Sequence, residues 1–277
     1  KGYDLSTPLL DSPIVIIDSI TKISWEPQND DSLYTGKAIP MILAIKDSKN
    51  LCAAYAIKNL TNPDSVISFA KRLGITSDLY PYPSIALGTS EVSPIEMARA
   101  FTAIASGGLL PKLITIKEIK DKFNNVWWQE SIDTTRVLDS KISYLLTYAL
   151  QTVIDSGTAK SIRRFYSYPA AGKTGTTQNY TDAWFIGFTP DLTTAIWIGF
   201  DNPQNKLNGS YRYGGTVAAP IWAKMMAEIV RKIPEYYKSK FIIPEGIEFK
   251  KTCIEYKKDM NCIKELTIPF INSQIEK

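Results

Sequence analysis

The chain has 277 residues, which is long enough to bury one large hydrophobic core or two smaller ones. Its 44% hydrophobic and 22% charged residues are typical of a globular protein, and its net charge of +4 falls short of a nucleic-acid-binding footprint. The sequence contains no histidine, which excludes serine–histidine and cysteine–histidine catalysis, so any general base must be Lys, Asp, Glu or Tyr, or must lie outside the chain.

Apolar patterning predicts mostly helices in the first half of the chain. A β-branched run at residues 13–17 predicts a short buried strand, and the helical pattern of residues 38–60 is interrupted near Asp47 and Ser48. The next helix starts with Pro63 at its first position and ends at Gly74.

Two further helices follow before the sequence pattern changes. Ser93 and Glu96 form a capping-box signal, and the glycine pair Gly107–Gly108 ends that helix. Residues 140–154 have the apolar spacing of a third amphipathic helix.

The apolar period changes from 3.6 to 2 after Gly172. Residues 181–188 and 193–200 predict two strands of a hairpin, and residues 220–231 predict a closing helix. Residues 232–277 are charged with short apolar islands, and we expect a loosely attached tail. The order therefore indicates a helical region followed by an antiparallel sheet and a final helix.

The cysteine content and the hydropathy limit the compartment only weakly. Cys253 and Cys262 are close enough in sequence to bridge if the compartment is oxidising, whereas Cys52 lies in an apolar stretch typical of a core. No run approaches the roughly 18 apolar residues that span a bilayer, and no signal peptide is visible. The first residue is Lys1 rather than Met, so we expect a piece of a longer protein.

The most informative motif is Lys173-Thr174-Gly175 at the start of a predicted strand. This triplet is one of three elements by which serine acyl-transferases of the penicillin-binding class are recognised. Lys173 supplies a cation and Thr174 and Thr176 supply hydroxyl donors, which together suit a carboxylate. Gly175 leaves room for an extended peptide to approach the strand. Taken alone, the triplet also fits a solvent-facing turn rich in glycine and threonine.

The surrounding sequence resembles the transpeptidase domain of bifunctional (class A) penicillin-binding proteins, which crosslink peptidoglycan. Six stretches carry the resemblance in family order: residues 25–29 (WEPQN), 48–50 (SKN), 87–98 (LGTSEVSPIEMA), 157–159 (GTA), 171–177 with 182–185 (AGKTGTT and DAWF), and 218–222 (AAPIW). The resemblance covers about residues 5 to 232. It implies the α/β fold of serine β-lactamases and D,D-peptidases, an antiparallel sheet with flanking helices and a helical lobe. We expect a partial transpeptidase domain at residues 1–232 and a C-terminal tail at residues 233–277.

The resemblance also implies roles for individual residues. Ser48 matches the serine that relays a proton to the leaving amine, and Asn50 matches the asparagine that holds the substrate's amide carbonyl. Lys173 and Thr174 match the pair that binds the substrate carboxylate, beside Gly175. Thr176 matches the residue whose hydroxyl touches the carboxylate and whose backbone N–H forms half of the oxyanion hole.

The nucleophile of the family lies in a Ser-x-x-Lys element on a helix, where the lysine can deprotonate the serine. Two strings fit that spacing, beginning at Ser19 and at Ser68, and about two are expected by chance. Ser19 follows a strand rather than lying on a helix, and Ser68 falls after Ser48. In the family the nucleophile precedes the Ser-x-Asn element by roughly sixty residues. We therefore expect an N-terminally incomplete domain whose nucleophile precedes Lys1.

The resulting functional hypothesis is a D,D-transpeptidase that acts on D-Ala-D-Ala stem peptides of peptidoglycan and is acylated by β-lactam antibiotics. An inactive remnant or pseudoenzyme of a split penicillin-binding protein is the first alternative, and a D,D-carboxypeptidase or β-lactamase is the second. We expect no metal, cofactor or nucleic-acid partner. The parent protein is expected to carry a membrane anchor and to act at the periplasmic face of the bacterial inner membrane.

Overall fold

Three antiparallel strands form the central sheet of the fold. The computed structural model describes residues 2–17, 22–177, 179–202, 204–237, 239–256 and 262–272. The strands are β9 (Ala171–Thr176), β10 (Asp182–Phe188) and β11 (Thr193–Gly199), in the order β11-β10-β9. The predicted hairpin of β10 and β11 is confirmed, with each strand within one residue of its predicted bounds.

Three helices pack on this sheet and bury its apolar side chains. They are α4 (Pro94–Ala105), α5 (Ser140–Asp155) and α6 (Ala218–Lys232). The core between α6 and the sheet is aromatic: the ring of Trp222 lies 5.5 Å from Phe185 and 5.6 Å from Tyr166 in edge-to-face arrangements. Such pairs add stability beyond the area that they bury. The helices that the sequence predicts here are confirmed, including the complete capping box of α4 formed by Ser93 and Glu96.

Three shorter helices lie N-terminal to α4. They are α1 (Met41–Lys46), α2 (Asn50–Asn59) and α3 (Pro63–Arg72). The predicted interruption near Asp47 and Ser48 is the break between α1 and α2. Asn62 caps α3, because its side chain accepts a hydrogen bond from the backbone N–H of Ser65.

Four pairs of short antiparallel strands complete the N-terminal half of the fold. They are β1 (Pro8–Asp11) with β4 (Lys37–Pro40), β2 (Ile16–Ile17) with β3 (Ser24–Trp25), β5 (Leu109–Pro111) with β8 (Thr134–Arg136), and β6 (Glu118–Lys120) with β7 (Val126–Gln129). The strand predicted at residues 13–17 is shorter than expected. Only Ile16 is buried, while Ile17 is 68% exposed, because the two-residue pair presents alternate side chains to opposite faces.

The C-terminal segment is not loosely attached, so that expectation is wrong. Strands β12 (Ile247–Tyr256) and β13 (Cys262–Ile271) form a hairpin. Ile268 and Ile271 of β13 are buried against Ile42 of α1 and Leu145 of α5. Some apolar residues of the charged tail thus lie in the core, whereas others, such as Ile242 and Ile263, are exposed.

A disulfide joins the two strands of this hairpin. Cys253 and Cys262 are bonded, with 5.7 Å between their Cα atoms, so the bridge that the sequence left open is formed. Cys52 is buried, and burial raises the pKa of its thiol to about 12, as suits a core cysteine. Within the described residues, no helix has the combination of length and apolarity that a membrane crossing requires.

Candidate functional site

Lys173 of β9 meets Ser48 at the break between α1 and α2. The Lys173 Nζ donates a hydrogen bond of 2.6 Å to the Ser48 Oγ and another of 3.2 Å to the carbonyl oxygen of Thr174. Ser48 and Lys173 are 125 residues apart in sequence. The fold therefore brings together two residues that the sequence predicts to share one site.

Burial changes the acid–base behaviour of Lys173. Loss of solvation disfavours the ammonium form and lowers the pKa of Lys173 to about 8. No carboxylate within the described ranges forms an ion pair with it. An amine with these properties can exchange a proton near neutral pH and can bind an anionic ligand without displacing an internal carboxylate.

Ser48 has an unusual backbone conformation. Its φ is 54°, in the left-handed region that residues with a Cβ rarely adopt. Backbone hydrogen bonds hold the turn on both sides: the Ser48 N–H bonds the carbonyl of Ile45, and the Lys49 N–H bonds the carbonyl of Ala44. Such local strain persists only where surrounding structure fixes it, which is a frequent property of functional sites.

Asn50 begins α2 next to a buried polar network that the sequence analysis did not recognise. The Nδ2 of Asn50 donates to the carbonyl of Gln28 at 2.9 Å. Asn29, which follows Gln28, accepts a hydrogen bond of 3.2 Å from the backbone N–H of Leu51 through its side chain. The Nδ2 of Asn29 donates to the fully buried carboxylate of Asp11 at 2.8 Å. Asp11 and Asn29 therefore fix the first turn of α2. The WEPQN stretch, which contains Asn29, contributed to the family resemblance, but the sequence analysis assigned Asn29 no role.

The threonines of β9 have partners outside the strand. The Oγ1 of Thr174 lies 2.8 Å from the Oγ1 of Thr158, and the Oγ1 of Thr176 accepts a hydrogen bond of 3.3 Å from the N–H of Gly214. Thr158 was part of the GTA stretch but received no predicted role. The hydroxyl of Thr158 thus lies beside that of Thr174, and hydroxyls can donate to a carboxylate.

Two glycines allow close backbone approaches around the site. A Cβ at Gly157 would lie 2.3 Å from the carbonyl oxygen of Lys46, so Gly157 lets the α1–α2 break pack against the segment that carries Thr158. A Cβ at Gly175 would lie 3.0 Å from the Cβ of Trp184 on β10. The constraint that the structure shows at Gly175 thus comes from the neighbouring strand.

The candidate Ser-x-x-Lys string at Ser68 has no hydrogen bond to Ser48 or Lys173 within the described residues. Ser68 is exposed on α3, and within the described part of the chain no hydrogen bond connects it to Lys71. The Lys71 Nζ instead donates to the carbonyls of Thr76 and Ser77, at 3.1 and 2.8 Å. Ser19 lies outside the described residues.

The arrangement matches a known family. The family described as "Penicillin binding protein transpeptidase domain" matches residues 21–227. The chain belongs to this family. The resemblance found in the sequence is thereby confirmed, and so is the fold class.

Relatives and solved structures agree with this assignment. The chain is 35% identical over 222 residues to penicillin-binding protein 1B of Buchnera aphidicola, a match that covers 79% of this chain and 29% of that protein. The crystal structure of penicillin-binding protein 1A from Haemophilus influenzae gives a TM-score of 0.86 at 25% identity and covers 99% of this chain and 46% of that one. The PonA1 protein from Mycobacterium tuberculosis in complex with penicillin V has the same fold, with a TM-score of 0.72 at 22% identity, covering 87% of this chain and 67% of that one. The chain therefore spans less than a third of the first of these proteins.

Proposed function

We propose that this chain provides the carboxylate-binding and proton-relay part of a D,D-transpeptidase that crosslinks peptidoglycan stem peptides. The observation that carries the proposal is the 2.6 Å hydrogen bond between Lys173 and Ser48, at a lysine whose pKa burial lowers to about 8. The family assignment supports the reaction class, since members are named for penicillin binding and transpeptidation.

Each side chain of the site then has a step in acyl transfer. A serine oxygen would attack the carbonyl of the D-Ala-D-Ala amide while its proton passes to the lysine of its own Ser-x-x-Lys element, the C–N bond would break, and the departing D-alanine amine would take a proton. Ser48 would hand that proton over, with Lys173 replenishing it through their hydrogen bond. Asn50 would hold the substrate amide, and Lys173, Thr174 and Thr176 would bind the terminal carboxylate.

The strand β9 suits an extended peptide as well. It is the outer strand of the three-stranded sheet, and within the described residues its second edge has no partner strand. A stem peptide could therefore pair with β9 through backbone hydrogen bonds, a common mode of peptide recognition. β-Lactams, which carry a carboxylate beside a reactive amide, would use the same contacts; the related PonA1 protein is known in complex with penicillin V.

The attacking serine in this proposal comes from outside the 277 residues. The support is local: Ser68 is exposed and its lysine neighbour is engaged elsewhere, away from Ser48 and Lys173. A periplasmic location in a membrane-anchored parent protein belongs to the same proposal. The Cys253–Cys262 disulfide supports it, because such bridges persist in oxidising compartments.

Labelling with a fluorescent penicillin tests the proposal. Two proteins are compared: the 277-residue chain, and the extended protein, meaning this chain preceded by whatever residues its gene encodes before Lys1. We expect covalent label only in the extended protein, at a serine upstream of Lys1, and a large loss of label in its Ser48→Ala and Lys173→Met variants. Label on Ser19 or Ser68 of the 277-residue chain would overturn the proposal that the nucleophile lies outside it.

An inactive remnant is the second candidate function. The observation that favours it is that the Ser-x-x-Lys string of α3, the one such string within the described residues, has no hydrogen bond between Ser68 and Lys71. If circular dichroism shows that the extended protein is folded and it still takes no label, this candidate replaces the first.

A further inference from the structure

A cavity lies away from the Ser48–Lys173 site. Its volume is about 600 Å³, within the size range of small-molecule pockets. It lies between the end of α4, the first half of α5, the β10–β11 turn and the extended segment 239–244. The turn follows Phe188, which pairs with Ala171, whereas Thr176 pairs with Ala183 at the other end of β10. None of the predicted site residues lines this cavity.

Two buried hydroxyls of α5 line the cavity without partners. Thr147 is 3% exposed and Tyr144 is 8% exposed, and in the described ranges neither hydroxyl makes a hydrogen bond. Neither oxygen is fully occluded, so a small polar group can reach each of them. Ser143, beside them, does bond the carbonyl of Ile104. Buried hydroxyls normally find a partner, so the unpaired pair indicates that a ligand atom or water completes them.

The charged groups that line the cavity favour an anion. Arg136 and Lys240 are exposed cations, and one nitrogen of Arg136 is fixed by hydrogen bonds to the carbonyls of Gly107 and Leu138. The opposing carboxylate, Asp191, already accepts a hydrogen bond of 2.9 Å from Ser239. The lining therefore contains two cations and one carboxylate that already accepts a hydrogen bond, so the net charge of the lining is positive.

The remaining lining is apolar and comes from several elements. Ile104, Pro190, Phe241, Ile242 and Pro244 supply it, and Phe241 is itself held by an edge-to-face contact of 5.7 Å with Phe188. Apolar walls with a few convergent polar groups are the usual composition of a ligand pocket.

We propose that this cavity binds a small organic acid that combines a carboxylate, a hydrogen-bonding carbonyl and an apolar body, the chemistry of an N-acylated amino acid. The carboxylate is balanced by Arg136 and Lys240. The carbonyl accepts from the hydroxyls of Thr147 and Tyr144, and the apolar body packs against Phe241 and Ile104. This site is separate from the site proposed for the stem-peptide carboxylate.

Three matched probes separate these contributions when titrated calorimetrically into the 277-residue chain. N-acetyl-L-phenylalanine carries all three groups, its C-terminal amide lacks the negative charge, and 3-phenylpropanoate lacks the carbonyl. We expect the double variant Arg136→Gln with Lys240→Gln to weaken the two charged probes about fivefold and to leave the amide unchanged. We expect Thr147→Val to weaken the two acetylated probes about fivefold and to leave 3-phenylpropanoate unchanged.

Two controls make the result specific. Thr152→Val alters the same helix at a threonine that bonds the carbonyl of Ala149, and it should leave all three probes unaffected. Lys173→Met should also leave them unaffected, because Lys173 lies outside the cavity. Absence of saturable binding to the folded chain overturns the proposal. So does equal binding of the three probes, or sensitivity to Lys173→Met in place of the cavity variants.

Discussion

Two serine–lysine pairs within the described residues, Ser48 with Lys173 and Ser68 with Lys71, lie in different environments. The first pair is joined by a 2.6 Å hydrogen bond across 125 residues. The second has the Ser-x-x-Lys spacing on one helix, but its serine is exposed and its lysine bonds two backbone carbonyls. Proximity in sequence is therefore less informative about reactivity than desolvation and a fixed partner, because these control the pKa and the orientation of a reactive group.

The largest expected effect comes from removing each amine in turn from the extended protein. Lys173→Met should lower the acylation rate by fluorescent penicillin about 100-fold or more, which is typical for loss of a charged group at the reacting centre. Lys71→Met should change that rate less than about twofold. Labelling reactions quenched at a series of times and quantified by gel fluorescence measure the acylation rates of both variants. Comparable losses in the two variants would erase the distinction between the pairs.

The next effect is a pH dependence. Burial lowers the pKa of Lys173 to about 8, and a bound carboxylate would raise that pKa because it stabilises the ammonium. The complex then holds more protons than the free protein, so penicillin affinity should fall as the pH rises above about 8, by up to about tenfold per pH unit. Acylation kinetics at varied penicillin concentration and pH measure this. Arginine is charged throughout that range, so Lys173→Arg should abolish the fall, and a fall that persists would assign it to another group.

A smaller effect is expected at the hydroxyl that supports β9. Thr158→Val removes the 2.8 Å partner of Thr174 and should lower the acylation rate about fivefold, the value of one hydrogen bond. Thr102→Val is the matched control, since its hydroxyl bonds the carbonyl of Ala98 within α4. Equal rates in both variants would show that Thr158 does not support the site.

The smallest effect is a difference in stability between glycine and alanine variants at the two serines, Ser48 and Ser68. At Ser48, with φ of 54°, Ser48→Gly should be more stable to urea than Ser48→Ala by about 1 kcal/mol, because only glycine tolerates that conformation without strain. At Ser68, inside α3, the order should reverse, with glycine less stable than alanine by about 1 kcal/mol. Ser48→Ala equalling or exceeding Ser48→Gly would contradict the strain at the α1–α2 break.

The local elements were predictable because their signals are local. Asn62, Ser93 and Glu96 cap helices through atoms within three residues, and the period-2 pattern defined β10 and β11. The C-terminal segment was misjudged because charged residues alternate with its apolar ones. The burial of Ile268 depends on α1 and α5, which lie more than 100 residues earlier.

Motif order along the chain was sufficient to identify the family and to select the candidate site residues Ser48, Asn50, Lys173, Thr174, Gly175 and Thr176. Only the tertiary structure decided the contact between Ser48 and Lys173, the buried Asp11–Asn29 support of α2 and the hydroxyl of Thr158 beside Thr174. Hydrogen bonds and desolvation act over a few ångströms between residues far apart in sequence. A pattern along the chain therefore cannot specify them until the fold has set the distances.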